Sequence, residues 1–123
     1  MSEAQLWLVH AQADLRAVEV LLTSELYGLA SFHAQQAVEK TLKAKILLKT
    51  GQLPRVHDLV ILAERCGETF DSEILITFEE LSVLYTGSRY PGGWGSGPAG
   101  QPSAKKVQSY LLVAQQLLND TTC

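Results

Sequence analysis

An all-α protein, an antiparallel up-down bundle of four to five helices, is the fold class this sequence predicts. Three observations carry that expectation. Apolar residues recur at three- and four-residue steps along several long segments, which marks helices with one buried face. No segment shows sustained period-two alternation bounded by hairpin turns, so strands are not expected. The connections between the periodic segments are short, and short connections make neighbours antiparallel. A chain of 123 residues is sized for a single domain, residues 1–123, with one core.

The first helix is expected from about Glu3 to Ser24. Ser2 with Gln5 has the pattern of a capping box. Trp7, Ala11, Asp14, Leu15, Val18, Leu21 and Leu22 form its inward face. Asp14 interrupts that face, so it either finds a cation or several donors, or lies at the stripe edge in water. The second helix is expected from about Gly28 to Thr50, ended by Gly51 in the left-handed conformation. Its apolar stripe is Phe32, Ala37, Ala44, Leu47 and Leu48, with Gln36, Glu39, Lys40 and Lys43 on or beside it. Polar groups at the edge of a packed seam are unfavourable unless each is partnered.

A loop containing Pro54 leads to His57-Asp58-Leu59, where Asp58 is the expected cap of a third helix ending near Cys66, before Gly67. A fourth helix starts after Asp71 or Ser72 and ends near Thr86-Gly87. Its inward face uses Ile74 or Leu75, Phe78, Leu81, Val83 or Leu84, and Tyr85. From 92 to 102, five glycines and two prolines in eleven residues cannot hold a helix; a flexible loop is expected. Ser103 then caps a last helix reaching about Asn119, with Val107, Leu111, Ala114, Leu117 and Leu118 facing the core.

Charge is distributed unevenly. The net charge of −3 argues against a general nucleic-acid binder. Between Lys40 and His57, however, stand Lys40, Lys43, Lys45, Lys49 and Arg55 with no acid. This run reads as a solvated helix face favoured by the helix dipole, or as a surface for phosphate or an acidic partner. Cys66 and Cys123 lie far apart, outside any CxxC or metal spacing, as free thiols of a reducing cytoplasm would. No apolar run is long enough to span a membrane, and the N-terminus has no secretory pattern.

The chemistry-bearing residues are few. His10, His33 and His57 form no HxxxH or HExxH pattern, so no metal is expected. No cofactor motif is present: there is no GxGxxG, no GxxxxGK[ST] and no GxSxG. His57 stands just before a helix cap. Its ring either bonds the loop backbone or serves as a phosphate, base or proton-transfer contact. In Tyr85-Thr86-Gly87-Ser88-Arg89-Tyr90-Pro91, the proline ends the helix and presents Arg89 beside a rigid turn. That guanidinium suits either an internal carboxylate, with Asp14 and Glu39 the candidates, or a phosphate with Tyr85 or Tyr90 stacking on a base.

Taken in order, Trp7, Ala11 and Asp14-Leu15, then Tyr27, Ala30, Phe32 and Gln35-Gln36-Ala37-Val38-Glu39-Lys40 with Lys43-Ala44, then His57-Asp58-Leu59, then Tyr85 and Ser88-Arg89-Tyr90-Pro91, resemble the HEPN domain family over nearly the whole chain. The resemblance implies a homodimeric all-α bundle. It implies a minimal nucleotidyltransferase as partner in a two-component, toxin–antitoxin-like module. It also implies kinship with metal-independent ribonucleases, in which an Arg is followed after four to six residues by a His across a dimer interface. Here positions 94–96 after Arg89 are Trp94, Gly95 and Ser96, so that spacing is absent.

The expected function is therefore a dimeric, cytoplasmic binding module that contacts nucleotide or RNA phosphate, docks a minimal nucleotidyltransferase, or does both, without cofactor or metal. The ligand-contacting candidates are Lys40, Lys43, His57, Arg89 and Tyr90, and the structural polar candidates are Asp14, Gln36 and Glu39. The alternative is an endoribonuclease toxin using Arg89 and His57. Tyr27, Phe32 and Trp94 are the expected interface aromatics.

Overall fold

In the computed structural model, which describes residues 1–87 and 102–122 (without the side chains of 85–87 and 122), the described residues form five helices. They are α1 (Glu3–Thr23), α2 (Tyr27–Thr50), α3 (Leu59–Arg65), α4 (Ser72–Gly87) and α5 (Ala104–Thr122). Among the described residues there is no strand. The expected loop falls almost wholly outside the described residues, as do Arg89, Tyr90, Trp94 and Cys123.

Helix ends follow the local chemistry. Ser2 Oγ accepts from the Gln5 amide at 3.2 Å and Gln5 Oε1 accepts from the Ser2 amide at 2.8 Å, a complete capping box. Gly51 closes α2 at φ +74°, in the left-handed region that glycine tolerates. Asp58 Oδ1 accepts from the Val60 and Ile61 amides at the start of α3, and Ser103 Oγ accepts from the Lys106 amide at the start of α5. The turn from α1 into α2 is less conventional. Glu25 sits at φ 63°, and the Leu26 amide bonds back to the Leu21 carbonyl. This is a Schellman-type ending with glutamate at the left-handed position.

α2 is the central helix, packed by α1, α3, α4 and α5. Its pairing with α1 is antiparallel: Asp14 meets His33 and Lys40, while Trp7, nearer the start of α1, meets Lys43. The core gathers Val18, Val38, Leu42, Leu59, Leu62, Phe78, Leu81 and Val107. Because neighbours surround α2, its polar side chains are drawn inside as well. Ser31, Gln35, Glu39, Thr41, Lys43 and Lys45 are all buried. The solvated-face reading of the basic run is thereby corrected for Lys43 and Lys45. Among these groups the Ser31 hydroxyl has no hydrogen-bond partner.

One expected core position lies outside it, and one pair of alternatives is decided. Leu48 is 62% exposed, because α2 continues beyond the start of α1. The register that sets Lys43 against Trp7 leaves nothing helical opposite Leu48. Val83 also faces solvent, and Leu84 takes the inward position on α4. α5 runs to Thr122, one turn past the expected end near Asn119.

α4 and α5 are clasped at Glu80, which accepts from Lys106 Nζ and from the Tyr110 hydroxyl at 2.9 Å. Burial and the Glu80 carboxylate push that hydroxyl above its ordinary range, so it stays a donor. α3 is tied to α4 by Ser82 Oγ, which accepts from the Leu59 amide at 3.0 Å. That amide is at the first turn of α3, where no intrahelical acceptor exists. Ser82→Ala is expected to lower unfolding free energy by about 1 kcal/mol, measured by urea denaturation.

Candidate functional site

Along α2, residues 35, 39 and 43 stand one turn apart, so their side chains meet in a column. Glu39 is the centre of that column and is only 5% exposed. Its Oε1 accepts from Gln35 Nε2 at 3.0 Å, and its Oε2 accepts from Lys43 Nζ at 3.0 Å. His57, carried in by the loop before α3, places Nδ1 3.0 Å from the same Oε2. Gln36 Nε2 donates to Gln35 Oε1 at 2.7 Å and extends the network sideways. Lys43 Nζ also lies over the Trp7 ring, 5.7 Å from its centroid, a cation–π contact from α1.

Burial alone would push the Glu39 carboxyl up. Hydrogen bonds from His57, Gln35 and Lys43, with the Lys43 charge, more than offset it and hold the carboxyl below its ordinary range. Glu39 is therefore an anion at neutral pH, buried but fully surrounded by donors. The His57 side chain is 56% exposed, so the network runs from the interior to the surface through its ring. With Nδ1 donating to Glu39, the ring's other nitrogen is turned away from the carboxylate.

A second carboxylate lies on the same seam. Asp14, 8% exposed, accepts from His33 Nδ1 at 2.9 Å through Oδ1 and from Lys40 Nζ at 2.6 Å through Oδ2. The stripe-edge-in-water reading of Asp14 is corrected: α2 covers it. The His33 ring is also held edge-on by Phe32, centroids 5.3 Å apart. Glu39 and Lys40 are consecutive, so the two networks are neighbours on α2 and share the α1 edge.

The structure thus gathers Gln36, Glu39, Lys43 and His57 in one network, and Asp14 with Lys40 in another. Arg89 and Tyr90 lie outside the described residues. His57 bonds the Glu39 side chain of α2. Three residues that sequence reasoning left out of the site belong to it: Trp7, read as core, Gln35 and His33. The 35/39/43 spacing was a usable signal for Gln35. For Trp7 and His33 the signal is only the register of α1 on α2.

The basic run resolves into partnered cations. Lys40 is held by Asp14, Lys43 by Glu39, and Lys45 by Glu68 at 3.0 Å. Lys49 donates to the Cys66 carbonyl. The Cys66 thiol is buried, and burial pushes it up, away from thiolate reactivity. Among the described residues no three His, Cys, Asp or Glu side chains gather in a way that could hold a metal ion. No helix among them is long and apolar enough to cross a membrane.

Comparison with solved structures finds two chains of the same architecture. TT1696 from Thermus thermophilus superposes with a TM-score of 0.83 at 28% identity, over 99% of this chain and 98% of that one. ST0689, an archaeal HEPN homologue, superposes with a TM-score of 0.75 at 26% identity, over 99% and 97%. No curated protein matches. The HEPN domain model matches residues 4–122. With five helices in this arrangement and a family match over nearly its whole length, the chain belongs to the HEPN domain family.

Proposed function

We propose that this HEPN domain is a binding module that contacts the phosphate of a nucleotide or RNA end through the Glu39–Lys43–His57 network. It acts as a homodimer and docks a minimal nucleotidyltransferase in a two-component, toxin–antitoxin-like system. The observation that carries the reading is the buried Glu39 anion with its three side-chain donors. Such a network is unfavourable to bury and gives α2 no packing that leucine would not give. What it does give is a fixed position for one ammonium and one imidazole. One carboxylate balances the Lys43 charge, and the His57 ring stands at the exposed end of the network, where a phosphate oxygen can approach it.

The test is a titration of ATP, GTP and a labelled short RNA, followed by calorimetry and fluorescence anisotropy. Saturable binding to the wild type is expected. His57→Ala should weaken it about tenfold, the loss of a charge-assisted contact. Binding indifferent to His57→Ala, or no binding, would sink the proposal.

A second reading is favoured by one specific geometry, the Glu39–His57 hydrogen bond. A carboxylate that orients an imidazole is a common device for general base catalysis. In a ribonuclease the imidazole would take the proton of a ribose 2′-hydroxyl. That oxygen would attack the adjacent phosphorus, and the 5′-oxygen would leave with a proton, giving a cyclic phosphate. RNA cleavage in the presence of a chelator, abolished by His57→Ala in a folded protein, would select this reading over the first.

A further inference from the structure

The far end of α2, the loop after it and the last turn of α3 enclose an open hollow of about 310 Å³, lined by Ile46, Thr50, Gln52, Leu53, Pro54 and Arg65. Thr50 lies about 16 Å along the helix axis from Glu39, so the hollow is separate from the network described above. Its shape is set by local chemistry. The Thr50 hydroxyl donates to the Ile46 carbonyl at 2.9 Å and accepts from the Gln52 amide at 3.1 Å, which fixes the exit from α2. Gly51 turns the chain through the left-handed region, and Pro54 stiffens the loop that follows. Gly67, likewise left-handed at φ +73°, turns the chain after α3 and brings the Lys49 ammonium against its end.

The hollow has two characters. Ile46, Leu53 and Pro54 supply aliphatic wall. Arg65 supplies a guanidinium, and among the described residues neither it nor Arg55, next to Pro54, forms an ion pair. The contrast with the rest of the basic run is the informative part. Lys40, Lys43 and Lys45 are occupied by internal carboxylates. Of that run, Lys49 and Arg55 are exposed at this end, beside the exposed Arg65. Lys49 already satisfies the Cys66 carbonyl at the end of α3, so Arg65 is not needed there.

We propose that this hollow is a docking site for an acidic peptide segment of a partner protein. An aliphatic side chain of the peptide packs on Ile46, Leu53 and Pro54, and a neighbouring carboxylate takes the planar fork of Arg65. Lys49 and Arg55 supply the attracting field. A nucleic acid fits less well, because no aromatic side chain lines the hollow to stack a base.

The test is fluorescence anisotropy with a labelled, end-capped peptide of alternating glutamate and leucine. The same peptide with glutamine for glutamate, and an oligouridylate, serve as competitors. Saturable binding that weakens with added salt is expected. Arg65→Glu should weaken it at least about tenfold, and Arg65→Lys should recover only part of it. Arg65→Glu should leave the thermal transition and the nucleotide and RNA titrations unchanged, which separates this site from the Glu39 network. The proposal is overturned if the acidic peptide does not bind, if the glutamine peptide binds equally, or if Arg65→Glu binds like the wild type. Displacement of the peptide by oligouridylate through Arg65 would overturn it in favour of nucleic acid.

Discussion

Glu39→Ala is expected to destabilise the protein by about 3–5 kcal/mol, a large part of a domain's total stability. The carboxylate is buried with Lys43, whose own residue is 5% exposed. Truncation leaves that ammonium inside the seam against the Trp7 ring without its carboxylate, and leaves the Gln35 amide without its acceptor. His57 suffers less, since its exposed ring can turn to water. The double variant Glu39→Leu with Lys43→Met removes both charges together and should recover most of the loss, because a paired burial is replaced by apolar packing. A double-mutant cycle by urea denaturation measures the coupling directly. Additive losses would show that Glu39 and Lys43 do not act as a pair.

The same residue sets an acid response. Its carboxyl is held below the ordinary value of 4.5 in the folded protein. The unfolded chain therefore takes up the proton first as the pH falls. The stabilisation is complete above the unfolded value and is lost as the pH drops through the folded one. Glu39→Gln should flatten the fall of stability below about pH 4.5. Some slope should remain, since Glu68, paired with Lys45, is also held below its ordinary range despite its partial burial.

The fold was largely legible because its signals are local. Ser2 with Gln5, Gly51, Asp58 and Ser103 each mark a helix end through bonds within a few residues, and the apolar spacing marks the inward faces. The candidate site was legible only in part. Lys40, Lys43, Glu39 and Asp14 stood out as polar residues on an apolar stripe. Their pairing depends on the register of α1 on α2 and on how the loop returns His57, which no window of sequence contains. That is why the Lys run looked like a surface: nothing local says that α2 is enclosed by four other helices. Leu48 differs for the opposite reason: its periodicity is that of the stripe, but α2 there extends past the start of α1. Glu25 carries no turn signal, yet holds the left-handed position between the two longest helices.

Phe78→Ala is expected to cost about 3–5 kcal/mol by leaving a cavity, as much as the loss of Glu39, by a different physical route. Phe78 is fully buried and meets Phe70 edge-on, ring centroids 5.5 Å apart at 71°. The truncation removes both the packed ring and this aromatic contact, where α4 joins the central helix and α3. Phe78→Leu should lose less, since most of the volume is kept. The comparison separates stability from function. Phe78→Ala touches neither Glu39, Lys43 nor His57, so at a temperature well below its lowered transition it should titrate nucleotide and RNA like the wild type. Glu39→Ala, matched to it in stability, should not. Equal weakening of binding in both variants would mean that affinity follows global stability, and the Glu39 network would then be a feature of the core and not a site.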